Sequence, residues 1–287
     1  MPAAAPFVPD RRLFPFKSRW FQSKVGQVHY IDEGSGPPIL FLHGNPTWSF
    51  LYRGIVIRLK KRYRCIAVDY PGFGLSPQPA GYGFTPAEHA VVITELVRGL
   101  GLNDLTVMGQ DWGGPIGMRV ALNDPDRIRA LVMGNTWYWP LQALHMKAFS
   151  SLLSSGPGQR QILNKNAFVE RIMPFAVKHK LAPEVLAHYR GPFPTPQSRA
   201  GVAEFPRQLV HSWSWLNDIA AQVPEVLGAK PLLLTWGTAD LAFPASFMDR
   251  FRADFTTVRI ERLDAKHYIQ EDAPGEIADA IQAFIPT

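Results

Sequence analysis

An α/β architecture with a mostly parallel central sheet is the fold class the sequence predicts, and three observations carry it. Short β-type runs alternate with helical patterns at both ends of the chain, the signature of parallel strands joined by helical crossovers. One apolar run, "LTVMGQ" from residue 105, enters a glycine-flanked turn and then a helical pattern. Between roughly 137 and 228 the alternation stops, and no strand-like run interrupts that stretch. The chain has 287 residues, enough for one large domain or a domain with a sizeable insertion. With 46% hydrophobic and 19% charged residues it can bury a full core.

The first stretch, "MPAAAPFVPDRRLFPFKSRWF", is broken by prolines and arginines and lacks the apolar run of a signal peptide. No segment approaches the ~18 uninterrupted apolar residues of a membrane span, so a soluble protein with no membrane partner is expected. "VGQVHYIDEG" (25–34) and "PPILFLHG" (37–44) read as two strands, and "CIAVDYPGFG" (65–74) as a third running into a loop. The basic run "RLKKRYR" at 58–64 reads as a solvated helix face. No nucleic-acid motif accompanies it, so the formal charge of +6 is not taken as a sign of nucleic-acid binding. Cys65 is the only cysteine. A disulfide framework is therefore excluded, and a reducing cytoplasm is the expected location.

"TPAEHAVVITELVRGLGL" has a Thr85 cap, an acidic first turn and Gly101 near its end, and predicts a helix. After the strand at 105 comes a helix through "PIGMRVALNDPD", then a strand in "RIRALVMGNTW" (127–137). "KPLLLTWGTAD" (230–240) and "FTTVRIERLDAKH" (255–267) predict the last two strands, and "APGEIADAIQAFI" the closing helix. The stretch 137–228 carries nine Lys/Arg against five Asp/Glu. It is expected to be a helical cap inserted into a core formed by 1–136 and 229–287.

The turn Gly109-Gln110-Asp111-Trp112-Gly113 has the G-x-S-x-G spacing, with a carboxylate where a serine is usual. Small residues two before and two after the centre let the backbone turn sharply and expose the central side chain above the strand ends. A nucleophile there needs a base and an orienting acid. His267 lies just past the last strand, and Asp240 follows the strand before it. The order Asp111, Asp240, His267 matches nucleophile, acid and base in the α/β-hydrolase fold. Asp264 is a rival acid, but three residues before His267 it is expected to lie still on the strand. The other histidines singled out, His29, His89, His145, His179, His188 and His211, are expected on the surface or in packing roles. "FLHGNPTWSF" (41–50) supplies a loop whose Asn45 backbone N–H, with that of Trp112, would form an oxyanion site.

A carboxylate that attacks an acyl group gives an anhydride, a poor intermediate. At a saturated carbon it gives an alkyl ester that a histidine-activated water can cleave. The reaction suits alkyl halides and epoxides and needs no metal or organic cofactor.

The chain resembles the haloalkane dehalogenases of the α/β-hydrolase fold across nearly its whole length. "HGNPTWSFLYR", "DYPGFGLS", "GQDWGGPIGM", "NAFVE", "HYRGPF", "WGTADLAF" and "KHYIQEDAP" carry the likeness. The resemblance implies that the departing halide is held by Trp112 and Asn45, both N–H donors that do not readily yield a proton. It also implies a late-aspartate triad, since "LVMGNTWYW" offers Asn135 and no acid after the strand preceding the cap. Phe168 and Pro206 are implied as pocket residues. The implied partners are a small haloalkane, water and halide; oligomeric state stays open. Epoxide hydrolases share the fold, the aspartate and often "DWGG", and use two cap tyrosines, for which Tyr138 and Tyr189 are available. Asn45 and Gln110 favour the dehalogenase. A non-catalytic ligand-binding protein of the same fold would be expected to have a damaged triad.

Overall fold

The computed structural model describes residues 7–285, apart from the side chain of His145. Eight strands form one sheet: β1 (Arg19–Ser23), β2 (Gly26–Glu33), β3 (Pro38–Leu42), β4 (Arg64–Val68), β5 (Leu105–Asp111), β6 (Ile128–Thr136), β7 (Leu232–Gly237) and β8 (Val258–Leu263), in the spatial order β1-β2-β4-β3-β5-β6-β7-β8. From β4 through β8 all pairings are parallel, while β2 is antiparallel to both β1 and β4. The sequence reading did not anticipate β1. Its "RWFQS" is mostly exposed and forms by pairing with β2, a tertiary cause that local pattern does not encode. Buried strands such as β3 and β5 read as continuous apolar runs because helices cover both their faces.

The core helices are α1 (Arg53–Leu59), α2 (Pro86–Gly99) and α3 (Gly113–Asn123). Thr85 caps α2 as the sequence predicts: its hydroxyl accepts from the Glu88 N–H and Glu88 reaches back to the Thr85 N–H at 2.9 Å, a full capping box. The basic run 58–64 departs from its expected helix face. α1 ends at Leu59 and the chain turns directly into β4, with Arg64 bonded to Asp32 at 2.8 Å and Tyr63 buried.

Between β6 and β7 there are only helices: α4 (Leu144–Ser154), α5 (Gly156–Lys165), the short α6 (Met173–Phe175) led in by a π-turn over Phe168–Ile172, α7 (Pro183–Arg190), α8 (Ala200–His211) and α9 (Trp213–Val226). Of these, α4, α5 and α8 pack on one another, whereas α9 also lies against α3 of the core. After β7 come α10 (Phe247–Asp254), the one-turn α11 (Ile269–Asp272) and α12 (Pro274–Phe284), the last packed on α1. No helix among the described residues is long and apolar enough to cross a membrane.

What positions the chemistry is the turn from β5 into α3. A Cβ on Gly113 would lie 2.0 Å from the Leu42 carbonyl oxygen, and one on Gly109 would lie 2.3 Å from the Gly113 oxygen. The helix start is thus pressed against the end of β3, and neither position has room for a side chain. Gly113→Ala should therefore destabilise the fold by about 1–3 kcal/mol, read by denaturant unfolding. Gly156→Ala, where an added Cβ meets nothing within 4 Å, should not.

Candidate active site

Asp111 ends β5 with φ of +52°, a left-handed conformation that a non-glycine residue adopts only when its surroundings impose it. The surroundings do so through Gly109, Gly113 and the Thr136 hydroxyl, which donates to the Asp111 carbonyl at 2.5 Å. The side chain stands above the strand ends at the wall of a cavity of about 560 Å³. Its Oδ1 accepts the Asn45 backbone N–H at 2.8 Å, and the Trp112 backbone N–H also bonds the carboxylate. Its Oδ2 lies 3.6 Å from His267 Nε2. One oxygen is thus fixed by the Asn45 backbone N–H and the other faces the imidazole.

His267 lies in the loop after β8, and its Nδ1 is 2.9 Å from Asp240 Oδ2. Asp240, just past β7, is held by three donors. The Ala242 N–H reaches Oδ1 at 2.7 Å, Asn135 Nδ2 reaches Oδ2 at 2.9 Å, and His267 supplies the third. Asp264 is exposed and sits beyond the end of β8 instead of on it, paired with Lys178. His267 is thus left to Asp240.

The electrostatics follow from burial and pairing. Burial works against the charge on Asp240, but the His267 charge and the donors around it hold its carboxyl below the ordinary range. Burial likewise opposes a charged His267, yet Asp240, and then Asp111, outweigh it, so its pKa stands above the ordinary histidine value. For Asp111 burial wins and raises the carboxyl, with His267 and the two backbone N–H groups limiting the rise.

Asn45 and Trp112 both line the cavity and both are buried. One N–H of the Asn45 amide donates to the Val202 carbonyl on α8 at 3.1 Å. Phe205 stacks on the Trp112 ring at 5.4 Å and Trp137 meets it edge-on at 4.8 Å, which fixes the indole. Phe168, opening the π-turn, and Pro206, inside α8, line the same cavity. All seven residues singled out in the sequence therefore converge on one cavity.

Two further side chains hold Asp240 and His267. Asn135, at the end of β6, bonds Asp240 and also clamps β7, donating to the Gly237 carbonyl at 3.1 Å and accepting the Gly237 N–H at 2.7 Å. Gln110 donates to the His267 carbonyl at 3.0 Å and lies 3.2 Å from its Nε2. In the sequence Asn135 stood out as the absence of an acid, and Gln110 as a residue favouring the dehalogenase over the epoxide hydrolase. Their signal was a polar side chain in an otherwise apolar strand, which must find partners. Of the remaining histidines, His29 is buried against Asp69 at 2.8 Å, His89 is buried on α2, and His188 stacks on Phe50. His179 and His211 are exposed, and the His145 side chain lies outside the described residues. Among the described residues no group of three or more His, Cys, Asp or Glu is placed to hold a metal ion.

The arrangement of elbow, late acid and histidine loop defines a class. A family model for the alpha/beta hydrolase fold matches residues 37–274. Haloalkane dehalogenase 2 of Mycobacterium tuberculosis is 53% identical over 96% of this chain and 97% of its own length. The crystal structure of haloalkane dehalogenase DatA from Agrobacterium tumefaciens superposes with a TM-score of 0.86 at 28% identity, covering 96% of this chain and 98% of that one. A cis-3-alkyl-4-alkyloxetan-2-one decarboxylase of Shewanella oneidensis is 32% identical over 95% of this chain and 89% of its own length. The chain is an α/β-hydrolase. Within that fold it belongs to the haloalkane dehalogenase family.

Asn135→Ala removes a donor from Asp240 and leaves the buried Gly237 N–H unpaired. A stability loss of about 1–3 kcal/mol, with reduced turnover, is the expected outcome in parallel denaturation and steady-state measurements.

Proposed function

We propose that this protein hydrolyses haloalkanes to alcohol, halide and a proton in two steps at saturated carbon and then at an ester. In the first, Asp111 Oδ2 attacks the halogen-bearing carbon from the side opposite the leaving group; the new carbon–oxygen bond forms as the carbon–halogen bond breaks. The halide leaves toward the Trp112 indole N–H and the second N–H of the Asn45 amide, the first being engaged with Val202. In the second step a water attacks Cγ of Asp111 and passes a proton to His267 Nε2. The negative charge develops on Oδ1, where the Asn45 backbone N–H is already in place, with the Trp112 N–H also bonded to the carboxylate. The alkoxide leaves with the proton from His267, and Asp240 stabilises the imidazolium between the two transfers.

The single observation that carries this reading is a carboxylate at a nucleophile turn with one oxygen anchored and the other facing a histidine at 3.6 Å. The cap, proposed as residues 137–228, closes the cavity with Phe168 and Pro206. The buried, unpaired Cys65 suits a reducing cytoplasm. The epoxide reading lacks its two tyrosines. Tyr138 donates to Asp254 at 2.5 Å, Tyr189 donates to Glu271, and neither lines the cavity.

Purified protein should release bromide from short bromoalkanes with no added cofactor, and an epoxide and a β-lactone belong in the same panel. Turnover of either of those with no halide from any bromoalkane would overturn the assignment. Replacing His267 with phenylalanine should halt the second step and leave an alkyl adduct on Asp111, detected as added mass on the peptide. Asn45→Ala should slow the carbon–halogen step by roughly 10²–10³, the scale of losing one preorganised donor. The pH dependence has a defined sign. His267 acts as a base only when neutral, and in the free site Asp240, with a further contribution from Asp111, raises its pKa above the ordinary value. Decay of the alkyl-enzyme in single turnover should be slow in acid and rise as pH passes upward through the His267 pKa.

A further inference from the structure

The cavity has two chemically different ends. Its inner end holds Asp111, His267 and the two N–H donors, and the reaction accounts for them. Among the other side chains on its wall, almost all are apolar, and two are cationic: Arg171 and Lys266. Arg171 is exposed, and it lines the cavity together with the nearby Phe168, Ile172 and Phe175.

Neither cation is neutralised by a carboxylate. Glu170, beside Arg171 in sequence, is bound in a two-point pair by Arg190, at 2.5 and 2.8 Å. Asp264 is paired with Lys178. Asp272 is occupied by the backbone N–H groups of Lys178 and Lys266, at 2.8 and 2.9 Å. The Lys266 ammonium donates to the Phe175 carbonyl at 2.9 Å, which leaves two of its three donors unused. Arg171 has one long contact, 3.4 Å to Gln161 Oε1. Around these two charges the wall ends in apolar side chains open to solvent, Phe175 at 81% and Leu241 at 94% exposure.

We propose that the preferred substrate of this site is an amphiphile: an alkyl chain halogenated at one end and carrying an anionic group, such as a carboxylate, at the other. The halogenated carbon reaches Asp111, the chain lies along the apolar wall, and the anion stays at the solvent side against Arg171 and Lys266. A neutral haloalkane fills the same wall but leaves both cations unanswered. The arginine fork suits a planar carboxylate better than a point charge does. This proposal rests on the dehalogenase reading and names the substrate class within it.

The test compares ω-bromoalkanoates of increasing chain length with their methyl esters, scoring bromide release. At the chain length that spans the cavity, kcat/KM for the carboxylate should exceed that for the ester by about fivefold to tenfold, the scale of one or two partly solvated ion pairs. Added salt should shrink that ratio. Arg171→Glu should bring the ratio to one or below and favour an ω-bromoalkyl trimethylammonium probe, whereas Arg171→Lys should keep part of the preference. Because each enzyme is scored by the ratio of two substrates, a general loss of activity does not mimic the effect. A ratio near one at every chain length, or one that Arg171→Glu leaves unchanged, would overturn the proposal. Bromide release from short bromoalkanes but from neither carboxylate nor ester would overturn this inference alone, whereas release from none of the three would overturn the dehalogenase reading as well.

Discussion

The backbone strain at Asp111 is the constraint on which the rest of the site depends. A residue with a side chain is held at φ of +52° at the end of β5, and α3 begins at once behind it. That turn can exist only where the neighbouring backbones come closer than a Cβ allows. An added Cβ would lie 2.0 Å from the Leu42 oxygen at Gly113 and 2.2 Å from Asp111 Oδ1 at Gly44. The close approach at Gly44 also brings the Asn45 N–H to the carboxylate at 2.8 Å. Parallel β3 and β5 end side by side, so the loop after one supplies the donor for the side chain at the end of the other. Sheet topology, glycine placement and oxyanion geometry are here one arrangement.

A second dependence runs outward from His267. The imidazole is useful only if it is oriented and can carry a proton briefly inside the protein. Asp240 provides both, and Asp240 is itself fixed by donors from two places, the Ala242 N–H and the Asn135 amide. Asn135 links β6 to β7 through Gly237, so the acid is anchored to the sheet and not merely to its loop. A buried carboxylate with three donors remains ionised, and an ionised neighbour is what lets the base accept a proton. The chain of dependence runs from strand pairing to amide to acid to base.

The sequence disclosed this site well because its chemistry is local in pattern. Glycines around Asp111, an aspartate after β7 and a histidine after β8 are each readable from a strand followed by a turn. The alternation of strands and helices was legible for the same reason, as was the Thr85 cap with Glu88 three residues on. What escaped is non-local. β1 exists because β2 pairs with it. Tyr138 and Tyr189 looked available for chemistry until the structure gave their hydroxyls to Asp254 and Glu271, residues more than eighty positions away along the chain. Arg171 looked like one of many basic residues in a basic stretch. Only the three-dimensional wall distinguishes it from Arg190, whose charge Glu170 already answers.

The cap and the base are mechanically joined, and this limits how specificity can vary. The segment around α6 is tied to the His267 loop by the Tyr268 N–H to the Ala176 carbonyl at 3.1 Å. The Lys266 ammonium on the Phe175 carbonyl is a second tie, and Asp272 is a third, accepting backbone N–H groups from both Lys178 and Lys266. Phe175 and Ala176 line the cavity, so two wall residues near α6 lie one or two hydrogen bonds from His267. Substitutions at α6 that widen the cavity therefore pull on the base. Those on α8, where Pro206 lines the same cavity, reach Asn45 through Val202 instead. On the proposed mechanism, the first wall couples substrate fit to ester hydrolysis, and the second couples it to carbon–halogen cleavage. Changes in the two walls should thus alter different steps of the same turnover, although both act on one cavity.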